Sequence, residues 1–140
     1  MPVTQIKVRG YHEDRFGHVN HARYLELLEE ARWADFEARG LDIRFFKEQG
    51  IFPVVFRLTI SYRRPAGAGD VLNISTEVKR SGRRKIVLVQ EARFDTSDEV
   101  CIEAEISVVF IGEATGRPIS LGDPFYRAWP ELCPEGSDTA

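Results

Sequence analysis

From residue 54 onward, apolar and polar positions alternate almost without a break. In VVFRLTISYRR, Phe56, Leu58, Ile60 and Tyr62 share one side and Arg57, Thr59, Ser61 and Arg63 the other, the period of two expected of a pleated strand. DVLNISTEV alternates Leu72, Ile74, Thr76 and Val78 with polar residues, and IVLVQEARF reads as a third strand. In VCIEAEISVVFI, Val100, Ile102, Ala104, Ile106, Val108 and Phe110 fall on one face. PAGAGD, KRSGRR and DTSDE are the intervening turns, the second short enough for an antiparallel hairpin.

Before residue 40 the period is different. Residues 21–39 hold good helix formers with no Gly or Pro. Tyr24, Leu27, Leu28, Ala31, Ala34 and Ala38 recur at three- and four-residue spacing, which predicts one long helix with a broad covered face. Asn20 suits its N-cap and Gly40 its C′ position. VTQIKVRG ahead of it reads as a strand, and LDIRFFKEQGIF after it as a helical turn and a loop. Strand, long helix and four long antiparallel strands make an α+β architecture. One domain is expected over residues 1–121. Residues 122–140, with Pro124, Pro130 and Pro134, are expected to form a loosely attached tail.

Composition removes several function classes. The 140 residues are 43% apolar and 29% charged with a net charge of −3, so no general nucleic-acid-binding surface is expected. The N-terminal MPVTQIKVRGYHED has no apolar leader segment. No apolar run approaches the ~20 residues of a membrane helix. Cys101 and Cys133 lie far apart without a CxxC, and the cytoplasm is the expected location.

The chemistry concentrates in residues 11–24, YHEDRFGHVNHARY. A helix opening near Asn20 leaves its first amides without intrahelical partners. With the positive end of the helix dipole they can hold a developing negative charge. Asp14 lies six residues before Asn20 in a connection that Gly17 lets fold tightly. A carboxylate opposite amide donors is what acyl transfer to water requires. A free aspartate, with a pKa of about 3.9, is a feeble base, which favours a reactive acyl group such as a thioester. The plainer alternative is that Asp14 merely caps or charges the helix. His18 and His21 form an H-x-x-H, but only His12 and scattered carboxylates could complete a metal site, and no metal or cofactor is expected. A G-x-S-x-G elbow, a P-loop and zinc spacing are all missing.

The run DRFGHVNHARY followed by LELLEEARW resembles the active-site signature of the hotdog-fold acyl-CoA thioesterases of the 4-hydroxybenzoyl-CoA thioesterase type. The text around it, and ISYRRPA further on, is most similar to the bacterial long-chain acyl-CoA thioesterase III group, over roughly residues 4–112. The resemblance implies a hotdog fold, with a sheet of about five antiparallel strands wrapped around the long central helix. It also implies a homo-oligomer, at least a dimer and commonly a tetramer, with active sites between subunits. By position Asp14 matches the catalytic carboxylate and the backbone amide of His21 the group that polarises the thioester carbonyl. Gly17, His18, Asn20 and Tyr24 match positions that support the site. The long-chain relatives commonly carry asparagine where this chain has His21, a departure that leaves an amide-based role intact.

The substrate so implied is an acyl-CoA, with medium- or long-chain aliphatic acyl groups favoured. Its phosphates call for a local basic cluster, and Arg83, Arg84 and Lys85 supply one beside Gly82, with Arg63 a further candidate. Its acyl chain needs an apolar slot, for which Phe45, Phe46 and Phe52 are placed between helix and sheet and Phe16 beside the catalytic end. Each of these has an ordinary structural alternative, a solvated turn or a core aromatic. Two rival functions share the fold. A dehydratase or hydratase would call for an HFP-type segment where this chain has GHVNHARY. A non-catalytic acyl-thioester binding module would have no need of Asp14.

Overall fold

The computed structural model describes residues 3–134. In chain order the elements are β1 (Val3–Lys7), α1 (Arg23–Ala38), α2 (Ile43–Gln49), β2 (Ile51–Tyr62), β3 (Val71–Ser81), β4 (Lys85–Phe94), β5 (Val100–Gly112) and α3 (Asp123–Ala128). Single 3₁₀ turns cover Gly10–His12 and Pro130–Leu132. The five strands form one antiparallel sheet in the order β1-β3-β4-β5-β2, with α1 packed on it. This is the α+β hotdog arrangement that the sequence led us to expect.

The described residues form two compact units. The first takes the chain up to Asp35 with 60–76 and 90–104. There β1 pairs antiparallel with β3, Val3 opposite Ser75 and Lys7 opposite Val71. Tyr24, Leu27, Leu28 and Ala31 of α1 are buried, each Leu contributing about 1.5–3 kcal/mol by leaving water. A polar network crosses this interior. Gln90, fully buried, donates to Leu28 O and to Thr76 Oγ1 (both 3.0 Å) and accepts from Arg32 Nη1 (2.9 Å). Partners on both ends of the amide are needed, because a buried group left without one costs about 1–3 kcal/mol. Burial pushes the Arg32 guanidinium pKa down.

The second unit takes residues 36–59, 77–89 and the chain from 105. Asp42 caps α2 by accepting from Phe45 N (2.8 Å), and Gly50 ends it at φ 67°, a left-handed turn that glycine adopts without strain. Its interior is aromatic. Phe36 meets the edge of Trp129 at 5.5 Å, Phe46 lies 6.1 Å from Phe36, and Phe125 packs on Phe45 and Phe46 at 5.1 and 5.6 Å.

That cluster corrects the expectation of a loosely attached tail. Phe125, Trp129 and Leu132 are all buried, Arg39 stacks 4.1 Å over the Trp129 ring, and the Ser81 hydroxyl donates to the Leu132 carbonyl. Prolines and polar residues masked the signal. Phe125 and Trp129 are spaced four apart across the short α3 and bury large apolar area despite them. Residues 135–140 of that expectation lie outside the described residues.

Strand β2 departs from its reading too. It begins at Ile51, earlier than expected, and Pro53 within it fits an edge position, where a missing N–H costs no ladder bond. Its apolar alternation does not mark a buried face. Val54, Val55, Phe56 and Tyr62 are exposed, Phe56 by 51%.

Candidate active site

The connection from Arg9 to Ala22 is built by local hydrogen bonds. Asn20 N donates to His12 O (2.9 Å) and Asp14 N to His18 O (2.8 Å), closing the segment into a narrow loop. Glu13 and Val19 form an antiparallel bridge across it. At its tip Gly17 N donates to Asp14 O (3.3 Å), and Gly17 sits at φ 83°, a conformation costly for any residue with a Cβ. The tight fold expected of Gly17 is therefore present, for that backbone reason.

Asp14 lies at the mouth of this loop and is exposed. Its Oδ1 accepts from Phe16 N (2.8 Å) and more weakly from His18 N (3.4 Å), an Asx turn. Among the described residues no protein donor meets Oδ2. The side chain thus serves the turn with one oxygen and presents the other.

The helix opens two residues later than expected, at Arg23. Asn20 Oδ1 accepts from Ala22 N (2.9 Å) and Asn20 O from Arg23 N (2.8 Å), so residues 21–22 form a turn and α1 begins at Arg23. Asn20 satisfies the amides on the far side of His21, and among the described residues the His21 N–H meets no protein acceptor. The His21 carbonyl is held by the Tyr62 hydroxyl (2.9 Å). His18 and His21 have exposed side chains. His12 is buried, its Nδ1 accepting from Arg9 N (2.9 Å).

Tyr24 is buried with its ring 5.5 Å from Tyr62. Its Oη accepts the Ala66 N–H (3.2 Å) and the Cys101 S–H (3.6 Å). Burial, helped by Cys101, raises the Tyr24 phenol far above its ordinary pKa, and burial raises the Cys101 thiol as well. Tyr24 therefore stays neutral at any physiological pH and acts as a hydrogen-bonding strut.

The basic candidates separate. Arg63 pairs with Glu103 at 2.6 Å and Arg64 with Glu99. Lys85 instead lines an open groove of about 380 Å³ with Arg57, Arg80, Ser107, Val87 and Phe56. Among the described residues no carboxylate lines it. Glu105 of β5 is held below the usual carboxylate range, first by its hydrogen bond from Lys79 and also by Arg80. Arg83 and Arg84 are exposed and line no part of this groove. Their carbonyls accept from Leu121 N (3.2 Å) and Phe110 N (3.0 Å). Arg57 and Arg80 were not singled out in the sequence, where Arg57 looks like an ordinary outward residue of an alternating strand and Arg80 falls in the KRSGRR turn shortly before Lys85; only the pairing of strands brings Arg57 beside them.

The aromatic candidates separate as well. Phe46 is 1% exposed inside the aromatic cluster and is a core residue, while Phe45 and Phe52 are half-buried. Phe16 is 86% exposed and walls nothing within the protomer.

Known proteins place this arrangement. A model of the thioesterase-like superfamily matches residues 8–129. The long-chain acyl-CoA thioesterase FadM of Escherichia coli strain K12 is 39% identical over 118 residues, covering 84% of this chain and 89% of FadM. The acyl-CoA thioesterase YbgC of Helicobacter pylori strain 26695 is 30% identical over 125 residues, covering 83% and 92%. Among solved structures, the probable thioesterase YbaW of E. coli superposes with a TM-score of 0.79 at 35% identity, covering 93% of this chain and 97% of that one. With its hotdog fold and its match from Val8 to Trp129, the chain belongs to the thioesterase-like superfamily.

Proposed function

We propose that the protein hydrolyses acyl-CoA thioesters to the free acid and CoA, with medium- or long-chain aliphatic acyl groups favoured, and that Asp14 carries the reaction. The observation behind this reading is the pairing of an unengaged Asp14 Oδ2 with an unengaged His21 N–H in one loop-to-helix connection. The thioester carbonyl accepts from the His21 amide, which stabilises negative charge as it develops on oxygen. Asp14 either takes a proton from the attacking water or attacks the carbonyl carbon itself, forming a mixed anhydride that water then cleaves. In both routes the C–S bond breaks and the sulfur leaves as the CoA thiolate. Gly17, His18 and Asn20 shape the connection, and Tyr24 anchors the helix behind it. None of these steps calls for a metal or cofactor.

The groove of Arg57, Arg80 and Lys85 is our candidate for the nucleotide phosphates of CoA, in place of the Arg83–Arg84 pair and of Arg63, whose charge Glu103 already meets. FadM is a long-chain enzyme by name, and this supports the aliphatic preference. We read the protein as a homodimer at least, and as a tetramer by family resemblance. The exposed apolar edge strand β2 and the exposed Phe16 support a second copy as their cover. No helix among the described residues is long and apolar enough to cross a membrane. With two free cysteines, we place the enzyme in the cytoplasm.

The test is thiol release from a panel of acyl-CoAs by wild type, Asp14→Asn and Asp14→Ala, with folding and oligomeric state checked for each. Loss of at least ~100-fold in both variants, about 2.7 kcal/mol of transition-state stabilisation, supports the reading. Variants as active as wild type overturn it. A wild type that binds acyl-CoA and hydrolyses none of the panel makes the non-catalytic module the better account.

A further inference from the structure

Asp14 sits on an exposed loop, yet a carboxylate contributes to catalysis only if it is held in place. What holds it is a second loop, PAGAG at Pro65–Gly69 between β2 and β3. Val19 N donates to Ala66 O (2.8 Å), and Ala66 N donates to Tyr24 Oη (3.2 Å), so residue 66 is tied to both the Asp14 loop and α1. Glu13, the residue next to Asp14, accepts the Ala68 N–H on its Oε2 (2.8 Å). Gly67 lies against the same two points: a Cβ there would stand 3.2 Å from Gly17 O and 3.3 Å from Glu13 Oε2. The second loop is itself fixed, because Gly69 N donates to Val8 O and Val8 N to Asp70 O, while Gly67 N donates to Asp70 Oδ2 (2.9 Å).

We propose that Glu13 is a positioning residue for the thioesterase reaction, bracing the Asp14 loop against the Pro65–Gly69 loop through the Ala68 amide. The proposal rests on the Asp14 reading above. Glu13 does not touch the reacting atoms; it fixes the backbone from which Asp14 projects, at the one place among the described residues where a side chain links the two loops. Its bond needs an acceptor oxygen and does not need a charge, so glutamine can replace it and alanine cannot. Gly67 belongs to the same device, since a Cβ there would require Gly17 O or the Glu13 carboxylate to shift by a few tenths of an ångström.

The experiment compares wild type with Glu13→Gln, Glu13→Ala and Gly67→Ala, and with Asp14→Asn as a control. It reads kcat and KM separately, and follows backbone amide exchange over residues 13–20 and 66–69. We expect Glu13→Ala to lower kcat by about 10-fold or more, given that a displacement of roughly 1 Å can cost 10²-fold, and Gly67→Ala to lower it by less. KM should stay within about 2-fold, and Glu13→Gln should stay within about 3-fold of wild type throughout. Amide exchange in both loops should rise in Glu13→Ala and not in Glu13→Gln. A glutamine variant as impaired as the alanine one overturns the proposal, because it would give the carboxylate a chemical role. So does a Glu13→Ala enzyme with wild-type kcat, or one with unchanged exchange. If Asp14→Asn is fully active, the Asp14 reading falls and the brace with it as a catalytic device, whatever the exchange shows.

Discussion

Strands β2 and β5 carry the same written pattern and meet opposite fates. β5 alternates Val100, Ile102, Ala104, Ile106, Val108 and Phe110, and from Ile102 onward these positions are all buried. β2 alternates Phe56, Leu58, Ile60 and Tyr62, of which Phe56 and Tyr62 are exposed and Leu58 and Ile60 are half-buried. The difference is their position in the sheet. β5 lies between β4 and β2, and β2 is an edge. A period of two reports that a segment is a pleated strand with one apolar side. It does not report whether the cover for that side comes from the same chain. In β5 it does, and in β2 the same chain leaves Phe56 and Tyr62 exposed.

Three substitutions test this contrast. The largest effect is expected in β5: Ile106→Ala removes a fully buried side chain and should cost about 2–5 kcal/mol in denaturant unfolding. A cost under ~1 kcal/mol would mean that β5 is not a packed centre of the sheet.

The next acts where β5 meets the helix. Tyr24→Phe removes the acceptor of the Ala66 N–H and the partner of Cys101, and should cost about 1–3 kcal/mol. It should also change the alkaline limb of stability. Folded Tyr24 and Cys101 hold their protons above their ordinary values of 10.0 and 9.0. As pH rises past those values the unfolded chain loses protons that the folded chain keeps, so folding stability falls. The wild type should lose stability from about pH 9 upward, and Tyr24→Phe should lack the part that begins near pH 10. Parallel curves for the two proteins would detach Tyr24 from this behaviour.

The smallest effect on the protomer is expected in β2. Phe56→Ser should change protomer stability by no more than ~0.5 kcal/mol, yet shift sedimentation equilibrium towards a lower mass. An unchanged mass would remove Phe56 from any interface between copies.

Much of the site was legible because its signals are local. Gly17 at positive φ, the Asp14 turn and the Asn20 bond to Ala22 N all lie within a few residues of their partners. What could not be read was every contact that spans the sheet. Glu13 finds Ala68, Tyr62 finds the His21 carbonyl, and Arg57 finds Lys85 only after distant parts of the chain come together. The tail failed for a different reason: Pro124 and Pro130 read as loop signals, and the burial of Trp129 depends on Phe36 and Arg39 far earlier in the chain.

By itself the sequence determined the strand and helix periods, the α+β class, the turn at Gly17 and the motif that resembles a thioesterase signature. Each depends on spacing along one stretch of chain, where covalent geometry fixes which residues share a face. The tertiary structure decided which alternating strand is buried, which cations share a groove, which phenylalanines are core, and which second loop holds Asp14. Those are matters of long-range packing, where the free energy belongs to surfaces brought together from distant parts of the chain and no local pattern carries it.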